Sequence, residues 1–448
     1  MTPDATARRG HALRAAVEQD LIAPDRPVVG LLDVAGVEEA AAALREAFAT
    51  PGVAVTHTFA VKAASLVPVL RLLAGLGLGA EVASPGELAI ARAAGVPGDR
   101  IVLDSPAKTV AELREALALG IAVNADNPQE LGRLDDLVAA GPTSSPVGLR
   151  VNPQVGGGSI GAMSTATATS KFGVALRDDG AERWILRAYA DRPWLNRLHT
   201  HTGSQGVPLD LMAAGVRAVY DLAERINAAA GRQQITTLDI GGGLPVNFAS
   251  DEVTPTFGAY ARVLRDTVPG LFDGRYGLVT EFGRSLLAKA GTVLARVEYT
   301  KSAGGRPIAI THAGAQLATR TVFAPDAWPL RVTALDARGR PKGGDPVVQD
   351  VAGPCCFAGD LVAGARPLPL LAAGDLVALL DTGAYYFSTH FAYNSLPRPA
   401  VHGYAVSPDG EVAFALVRAA QTVEELLAES GGEQGEALTR LRTPVRSS

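Results

Sequence analysis

The sequence predicts an α/β protein built from a (β/α)8 barrel of the TIM type and a C-terminal, mainly antiparallel β domain. A chain of 448 residues is too long for one ordinary hydrophobic core, so two domains are expected. Between residues 46 and 293, β-rich runs alternate with helical patterns in about eight units, as in a parallel barrel. Beyond residue 293, strands separated by Gly- and Pro-rich turns replace this alternation. A doubly wound open sheet is the competing fold for the first part.

The predicted elements divide the chain into four segments. Residues 1–45 form an arm with a helix (His11–Gln19) and a strand (Pro27–Asp33) that joins the β domain. Residues 46–293 form the barrel, residues 294–430 the β domain and residues 431–448 a mobile tail. The predicted barrel strands are Val53–Ala63, Leu78–Val82, Ile101–Asp104, Ile121–Asn124, Val147–Val151, Leu195–His201, Thr236–Ile240 and Gly277–Glu281. The helical patterns between them include Pro85–Ala94, Thr109–Leu119, Pro128–Ala139 and Leu209–Ala229. The β domain has predicted strands at Leu294–Tyr299, Pro307–Thr311, Leu330–Ala334, Pro346–Val351, Leu376–Leu380 and Val412–Val417, and a single helix at Thr422–Glu429.

Composition and charge exclude several classes of protein. A hydrophobic content of 47% with 19% charged residues is typical of a soluble globular chain. The net charge of -5 offers no basic surface for nucleic acid. No apolar run is long enough to span a membrane, and the first residues lack the apolar core of a signal peptide. The two cysteines, Cys355 and Cys356, are adjacent and cannot close a useful loop, so we expect reduced thiols in a cytoplasmic protein.

One lysine, Lys62, stands at the carboxyl end of the first barrel strand. Most lysines stay in water as solubilising charges, so a lysine that ends an apolar strand either snorkels out of the core or is placed for chemistry. The chain has only six lysines, and arginine supplies most of its positive charge. A lysine kept where arginine is otherwise preferred indicates a need for an amine that can lose its proton or form an imine.

The other strand ends carry residues suited to bind an anionic cofactor. In barrel enzymes the reactive residues lie at the carboxyl ends of the strands, and loops after the last two strands commonly hold phosphate. Three consecutive glycines follow the seventh strand, where backbone amides can approach an anion. We expect Ser204 and Arg284 to complete this phosphate cradle. The polar residues and glycines at these ends are Arg150, His201, Gly203, Ser204, Gly241, Gly242, Gly243, Glu281, Gly283 and Arg284.

A lysine that forms an imine, a phosphate cradle, a carboxylate and an aromatic ring together describe a pyridoxal 5'-phosphate (PLP) site. The chain resembles the fold-type III, alanine racemase-like PLP enzymes, and within them the diaminopimelate and ornithine decarboxylases rather than alanine racemase itself. The matching motifs follow the family order from about residue 27 to residue 400, nearly the whole chain. They are Phe59-Ala-Val-Lys62-Ala, Ser170-Lys-Phe-Gly173, His201-Thr-Gly-Ser204-Gln, Gly241-Gly-Gly243, Glu281-Phe-Gly-Arg284, Gly353-Pro-Cys-Cys356 with Asp360, Gly383-Ala-Tyr385, and Tyr393-Asn-Ser-Leu-Pro-Arg-Pro399.

The resemblance implies an amino-acid decarboxylase that uses PLP, with a role for each matching residue. Lys62 would hold the cofactor through an imine and be displaced by the substrate amine. His201 would stack on the pyridine ring, with a satisfied core histidine as the alternative. Glu281 would pair with the pyridine nitrogen and keep it protonated, which makes the ring a strong electron sink. The implied phosphate ligands are Ser204, Gly241, Gly242, Gly243, Arg284 and Tyr385, and Gly283 and Arg150 are implied as further cofactor-binding residues.

The resemblance also implies a homodimer with its site at the two-fold interface. Cys356 would come from the β domain of a partner subunit and protonate the substrate α-carbon after loss of carbon dioxide, whereas burial is the usual fate of cysteine. Asp360 would help to fix this loop, with a surface turn as the alternative. Arg150 is similar in position to an active-site arginine of the family, and a structural ion pair with Glu87 or Glu81 is the alternative.

The departures from the family pattern concern the substrate. An acidic residue usually follows the loop cysteine and meets the distal ammonium of the substrate, but this chain has Phe357 there. Because an unpaired buried charge is costly, a neutral, apolar or aromatic side chain is easier to accept than ornithine, lysine or diaminopimelate. Arg320 remains a candidate for a substrate carboxylate, although the segment Thr321-Val-Phe-Ala324 lacks the proline and tyrosine of the diaminopimelate enzymes. Tyr393 is a further substrate-binding candidate, and Phe282 replaces the proline of the usual Glu-Pro-Gly-Arg.

Four other functions fit parts of the sequence. A racemase or epimerase needs a base on each face of the α-carbon and a weaker electron sink, which Glu281 argues against. A metal-dependent hydrolase would use His199 and His201 as zinc ligands, but the neighbouring strand ends supply lysine, glycine and arginine, so no metal is predicted. A serine hydrolase is suggested by Gly157-Gly-Ser-Ile-Gly161, which lacks the helix that follows a nucleophile elbow. A non-catalytic relative would not need both Lys62 and Cys356.

Overall fold

Two sheets organise residues 3–441, the part of the chain that the computed structural model describes. The strands are β1 (Val28–Asp33), β2 (Val55–Ala60), β3 (Gly79–Val82), β4 (Ile101–Leu103), β5 (Ala122–Ala125), β6 (Val147–Asn152), β7 (Val174–Ala175), β8 (Leu195–His199), β9 (Thr237–Asp239), β10 (Gly277–Phe282), β11 (Gly291–Ala303), β12 (Arg306–Thr311), β13 (Val332–Leu335), β14 (Pro346–Ala352), β15 (Leu361–Pro369), β16 (Leu376–Leu380), β17 (Val401–Val406) and β18 (Val412–Arg418). The helices are α1 (Ala5–Glu18), α2 (Val34–Phe48), α3 (Val67–Gly75), α4 (Pro85–Ala93), α5 (Val110–Ala118), α6 (Pro128–Ala140), α7 (Ala181–Asp191), α8 (Leu209–Ala230), α9 (Phe257–Thr267), α10 (Arg284–Leu287), α11 (Ala315–Phe323) and α12 (Val423–Glu429).

Eight parallel strands form a closed barrel in the order β2, β3, β4, β5, β6, β8, β9 and β10, with β10 pairing β2. The barrel closes through β5 and β6, which pair in parallel from Val123 and Val147. Every residue of β3, β5 and β6 is buried, because helices cover the outside and side chains fill the inside. The predicted (β/α)8 barrel is confirmed. The open doubly wound alternative is wrong, because pairing between β5 and β6 leaves no free edges at that point.

The second sheet is mainly antiparallel and takes strands from both ends of the chain. Its order is β15, β14, β12, β11, β1, β17 and β18, while β16 pairs β11 and β13 pairs β16. The strand β1 lies between β11 and β17, antiparallel to the first and parallel to the second. The predicted β domain is confirmed by this order. The prediction of a single helix in this region is wrong, because α11 follows β12 and carries Arg320.

Several predicted elements have different bounds in the structure. The first helix begins at Ala5 because the Asp4 side chain caps it, accepting the N–H of Ala7. The strands β15 and β17 lie in segments for which no strand is predicted. The boundaries at residues 46, 294 and 431 stay predictions. Residues 442–448 of the predicted tail lie outside the described residues, and residues 431–441 contain two short 3-10 turns. Within residues 3–441, none of the helices combines the length and apolar character needed to cross a membrane.

Candidate active site

A cavity of about 380 Å³ opens at the carboxyl ends of the barrel strands. Its size falls within the range of small-molecule sites, and its lining comes from several strand ends because a barrel gathers these ends at one face. The predicted residues that line it are Lys62, Arg150, His201, Ser204, Gly243, Glu281, Gly283, Arg284, Arg320 and Tyr385. Three others, Cys356, Phe357 and Tyr393, do not line it and instead contact one another elsewhere.

Lys62 lies in the 3-10 turn Val61–Ala63 that follows β2, and half of its side chain is exposed. Its Nζ lies 2.6 Å from Glu81 Oε2 on β3. Burial of the ammonium works to lower the pKa of Lys62, but the charge of Glu81 outweighs this effect and raises the pKa above its ordinary value. Glu81 is therefore the carboxylate that holds the Lys62 proton.

Glu281 lies on β10 with only 6% of its surface exposed. Burial, together with the charges of Glu81 and Asp104, raises the pKa of Glu281 to about 8. Its Oε1 atom is buried and has no hydrogen-bond partner among residues 3–441. Since buried polar atoms almost always have a hydrogen-bond partner, we expect a ligand in the cavity to bring a donor or a cation to this oxygen.

His201 follows β8 and lines the cavity beside the glycine loop. The N–H of Gly242 donates to His201 Nδ1 over 3.1 Å, so the ring carries its hydrogen on Nε2. Burial and the nearby charges of Arg150 and Lys62 hold the pKa of His201 well below its ordinary value. His201 is consequently a neutral ring at physiological pH, which suits stacking on a flat ligand.

The glycine triplet packs its loop closely against neighbouring backbone. A Cβ on Gly242 would lie 2.1 Å from the Glu281 carbonyl oxygen, and a Cβ on Gly243 would lie 1.8 Å from that of Gly203. Gly243 has a φ of 95° and lines the cavity, whereas Gly241 and Gly242 do not line it. The close packing accounts for the run of glycines and leaves Gly243 accessible to a ligand.

Two arginines line the cavity without a carboxylate in ion-pair contact in the described part of the chain. Arg284 Nε and Arg320 Nη1 are buried and donate to no hydrogen-bond acceptor there. The two guanidinium groups lie 4.5 and 4.2 Å from the ring centre of Tyr385, and both also contact the Trp328 ring. Burial lowers the pKa of Arg284 to about 10, which still leaves it charged at neutral pH. Unpaired guanidinium groups in a cavity form a site for phosphate or carboxylate, and the unpaired Ser285 hydroxyl lies beside them.

Arg150 contacts Asp104 rather than either predicted partner. Its Nη1 lies 2.6 Å from Asp104 Oδ2. Glu81 pairs with Lys62, and Glu87 accepts a hydrogen bond from the backbone of Ala83. The predicted ion pair with Glu81 or Glu87 is therefore wrong. Asp104 directly follows β4, two strands from the β6 strand of Arg150, and reaches it across the inside of the barrel.

Cys356 is exposed and lies beside four aromatic side chains, Phe323, Phe357, Phe391 and Tyr393, which we name the aromatic cluster. Phe357 stacks on Phe323 with ring centres 5.5 Å apart and meets Tyr393 edge-on at 5.3 Å. The Tyr393 hydroxyl donates to the Cys356 carbonyl over 3.4 Å. The aromatic cluster therefore lies against the Cys356 backbone, and neither Cys356 nor the cluster lines the cavity of the same chain.

The loop that carries Cys356 is fixed from two sides. Asp360 is buried and accepts the backbone N–H groups of Ala315 and Cys355, each over 2.6 Å. The side chain of Asn394 accepts the N–H of Cys356 over 2.8 Å, from a residue with a φ of 56°. The surface-turn interpretation of Asp360 is wrong, because this carboxylate anchors the loop to the start of α11.

The geometry disfavours the zinc alternative. Among the described residues, Asp104, His199 and Glu281 are the one group with metal-ligand spacing, and His201 is not part of it. The two carboxylates face different nitrogen atoms of His199, Asp104 at 3.6 Å from Nδ1 and Glu281 at 3.4 Å from Nε2. Arg150, bound to Asp104, would also repel a cation.

The barrel and this cavity define a class of enzyme, the barrel enzymes that bind PLP. A lysine amine, an unsatisfied carboxylate and a neutral histidine ring lie in one cavity with two unpaired guanidinium groups. PLP needs these partners for its aldehyde, its pyridine nitrogen, its ring face and its phosphate. The residues present therefore fit this cofactor.

Comparison with known proteins gives the family. The family model described as pyridoxal-dependent decarboxylase, pyridoxal binding domain, matches residues 34–288. The chain is 36% identical to the diaminopimelate decarboxylase of Pseudomonas aeruginosa over 372 residues, which is 83% of this chain and 85% of that protein. It is 34% identical to that of Actinosynnema pretiosum over 405 residues, 89% and 87% of the two chains. The crystal structure of diaminopimelate decarboxylase from Helicobacter pylori complexed with L-lysine superposes with a TM-score of 0.81 at 25% identity, covering 93% of this chain and 100% of that one.

The chain belongs to the pyridoxal-dependent decarboxylases of fold type III. It is an enzyme that uses PLP to decarboxylate an amino acid, as the sequence motifs predict.

Four residues in or beside this cavity are not assigned to a PLP site by the sequence analysis, which considers His199 only as a zinc ligand and Glu81 only as an ion-pair partner of Arg150. They are Glu81, Asp104, His199 and Ser285. Glu81 is the last residue but one of a predicted strand and Asp104 is the last residue of the next, and these positions were a usable signal. For Ser285, the sequence gives no such signal apart from its position next to Arg284.

Proposed function

We propose that this enzyme removes the α-carboxylate of an amino acid whose side chain does not end in an ammonium group. The observation that carries the proposal is the stacking of Phe357 on Phe323 beside Cys356, in a cluster that contains no carboxylate. The relatives are named for diaminopimelate, whose distal end carries an ammonium group. Moving an ammonium group out of water costs several kcal/mol, whereas its attraction to aromatic faces returns about 2 kcal/mol. The aromatic cluster therefore favours a neutral or apolar distal group, whereas an anionic side chain would depend on Arg320.

Each cavity residue has a proposed role in binding or orienting the cofactor. When bound, PLP supplies the electron sink for the electrons left on the α-carbon as carbon dioxide departs. Lys62 holds the cofactor, Glu281 pairs with the pyridine nitrogen, and the neutral ring of His201 stacks against the cofactor ring. The proposed phosphate ligands are Ser204, Gly243, Arg284 and Tyr385, which line the cavity together with Gly283, while Gly241 and Gly242 shape the glycine loop. Arg150 holds Asp104 beside this group.

Arg320 is proposed to bind a second anionic group of the substrate. Its guanidinium lies over the same Tyr385 ring as that of Arg284, and its Nη1 has no partner within the described residues. One phosphate is satisfied by Arg284 with Ser204 and the backbone of Gly243. Arg320 is then free for a carboxylate on the substrate side chain.

A second copy of the chain is proposed to complete the site. Cys356 lies outside the cavity of its own chain, and Phe323 in the adjacent aromatic cluster is 60% exposed. Exposed aromatic surface of this kind commonly marks an interface. In a homodimer, Cys356 of the partner subunit donates its thiol proton to the α-carbon, and the thiolate that remains takes a proton from water. Tyr393 and Phe357 enter the cavity mouth with it and contact the substrate side chain.

The proposed location is the cytoplasm. Both cysteines are free thiols, and Cys356 is exposed, which is typical of a reducing compartment. The net charge of -5 gives no support for a nucleic-acid partner. Fractionation of cells that express a tagged chain tests this assignment, and recovery outside the cytoplasm would contradict it.

The proposal is tested by offering the enzyme and PLP a panel of L- and D-amino acids in heavy water and reading product masses. We expect loss of the carboxyl group with one deuterium at the α-carbon, from a substrate with a neutral or anionic side chain. Lys62→Ala is expected to abolish turnover. A best substrate with a distal ammonium would contradict the pocket assignment. Deuterium gain with the carboxylate retained would instead show a racemase and make Cys356 a base.

A further inference from the structure

His199 ends β8 inside the barrel, with none of its surface exposed. Its ring lies between two carboxylates that both line the cavity. Nδ1 lies 3.6 Å from Asp104 Oδ1, and Nε2 lies 3.4 Å from Glu281 Oε2. His199 does not line the cavity, so it acts on a ligand only through these two neighbours.

Asp104, His199 and Glu281 contain buried polar atoms that make no hydrogen bond within the described residues. Both ring nitrogens of His199, Oδ1 of Asp104 and Oε1 of Glu281 are buried there without a hydrogen-bond partner. A neutral imidazole carries one N–H, so it can donate to one of the two carboxylates. The lone pair on its other nitrogen would then face a second negative charge, unless the second carboxyl keeps a proton.

The two carboxylates differ in charge environment. Arg150 binds Asp104 at 2.6 Å. Burial works to raise the pKa of Asp104, but the charges of Arg150 and His199 outweigh this effect and hold the pKa below its ordinary value. Glu281 has His199 as its one ion-pair contact in residues 3–441, and its pKa is raised to about 8. Burial lowers the pKa of His199. Further charged groups near Asp104, His199 and Glu281 are Lys62, Glu81, Lys108, Asp126, Arg197 and Asp239. In the cofactor-free protein, the proton that Asp104, His199 and Glu281 compete for therefore stays on Glu281.

We propose that His199 is a positioning residue that keeps Glu281 ionised when the pyridine nitrogen of the cofactor pairs with it. With the proton on the pyridine nitrogen brought in by the cofactor itself, the O–H bond of Glu281 breaks and its proton forms an N–H bond at His199 Nε2. The imidazolium then donates Nδ1–H to Asp104 and Nε2–H to Glu281, while Glu281 Oε1 is left for the cofactor. This inference rests on the proposed role of Glu281.

The charges of neighbouring groups then alternate in sign: Asp104 is negative, His199 positive, Glu281 negative and the pyridinium positive. Each charge then has an opposite neighbour, and the unsatisfied buried atoms all gain partners. A Glu281 that kept its proton would donate a hydrogen bond to a neutral pyridine nitrogen, and the ring would be a weaker electron sink. His199 thus sets the strength of the sink without contacting the cofactor.

The protonation state of His199 is read directly by 15N NMR of the wild-type protein labelled at histidine. We expect a ring with hydrogen on both nitrogens in the PLP-bound protein near neutral pH, and a neutral ring in the PLP-free protein. Loss of this signal in His199→Gln assigns it. A neutral His199 ring in the PLP-bound protein would overturn the proposal. Because this result is read on the wild-type protein, it does not depend on the activity of any variant.

A double-mutant cycle supplies the second test, with the Kd of PLP as its readout. His199→Gln is expected to raise the Kd about tenfold in the wild-type background and to add little in Glu281→Gln, since both act through one contact. His57→Gln is the matched control, because His57 is also a buried strand histidine but contacts the Thr280 hydroxyl at 2.8 Å. Equal effects of His199→Gln in both backgrounds would overturn the inference alone. An unchanged Kd and absorption spectrum in Glu281→Gln would overturn the Glu281 assignment and this inference together.

Discussion

The ammonium nitrogen of Lys62 lies 2.6 Å from the carboxylate of Glu81. This contact explains why a lysine whose side chain is half exposed to the cavity keeps its proton so firmly. An amine must be unprotonated to attack an aldehyde, so the proton has to leave Lys62 before the cofactor is held. Burial raises the pKa of Glu81, which makes this carboxylate a suitable acceptor for that proton.

Removing the Glu81 charge is therefore expected to lower the pKa of Lys62. In Glu81→Gln we expect the rate of PLP uptake to reach half its maximum about one pH unit lower than in the wild type. Absorbance during mixing with PLP at a series of pH values gives this midpoint. Glu87→Gln is the control, because Glu87 binds the backbone of Ala83 and does not contact Lys62. An unshifted midpoint in Glu81→Gln would show that Glu81 does not hold the proton.

A site shared between two subunits predicts complementation between inactive variants. Lys62→Ala and Cys356→Ala are each expected to lack turnover. After the two are mixed and subunits exchange, mixed dimers carry one intact site, and about a quarter of wild-type activity should return. Lys62→Ala mixed with Glu281→Ala is the control and should stay inactive, because both residues line the same cavity. Absence of recovery in the first mixture would place Cys356 in the site of its own chain.

The positions of the cavity residues were largely predictable from the sequence, because several barrel strands carry a polar residue at or just after their carboxyl end. Lys62, Arg150, His201 and Glu281 all lie at such ends, and a closed barrel brings them to one cavity. Their pairings were not predictable. Whether Arg150 meets Asp104 or Glu81 depends on the inward direction and stagger of strands that are not adjacent, which no single strand pattern contains.

The helix α11 shows a second limit of sequence reasoning. Thr319, Thr321 and Val322 are β-branched, and they make its sequence resemble the strands around it. Its first N–H is bound by Asp360, which follows in the chain by 45 residues. Tertiary contact thus decides this helix, and with it the place of Arg320 at the cavity.

The buried carboxyl of Glu281 predicts a pH-dependent stability in the cofactor-free protein. Its pKa rises from 4.5 to about 8 on folding, so between these values the folded protein keeps a proton that the unfolded chain has released. The free energy of unfolding should fall as pH rises through this window, by about 1.4 kcal/mol per pH unit for one such group.

Urea unfolding at several pH values checks this, with Glu281→Gln as the comparison. The variant lacks the titrating carboxyl and should lose this part of the slope, while Asp239, whose pKa burial raises to about 6, contributes to both proteins. The same pH dependence in both proteins would contradict the assignment to Glu281.

The unpaired guanidinium of Arg320 predicts a preference among substrates. Arg320→Met is expected to lower kcat/KM about 100-fold for a substrate whose side chain carries a carboxylate, because a buried charged hydrogen bond is lost. Substrates with neutral side chains should change little, and they serve as the internal control. A uniform loss across all substrates would assign Arg320 to the cofactor phosphate instead.

The most direct test of the account compares kcat/KM for a neutral or anionic substrate with that for diaminopimelate and lysine, in the wild type and in Phe357→Glu. We expect the wild type to prefer the substrate without a distal ammonium, and Phe357→Glu to move this preference towards the ammonium substrates by about tenfold or more, since a carboxylate then lies in the aromatic cluster. Phe357→Leu, which adds no charge, should keep the wild-type preference. A wild type that prefers diaminopimelate or lysine, or a Phe357→Glu variant with unchanged selectivity, would contradict the account.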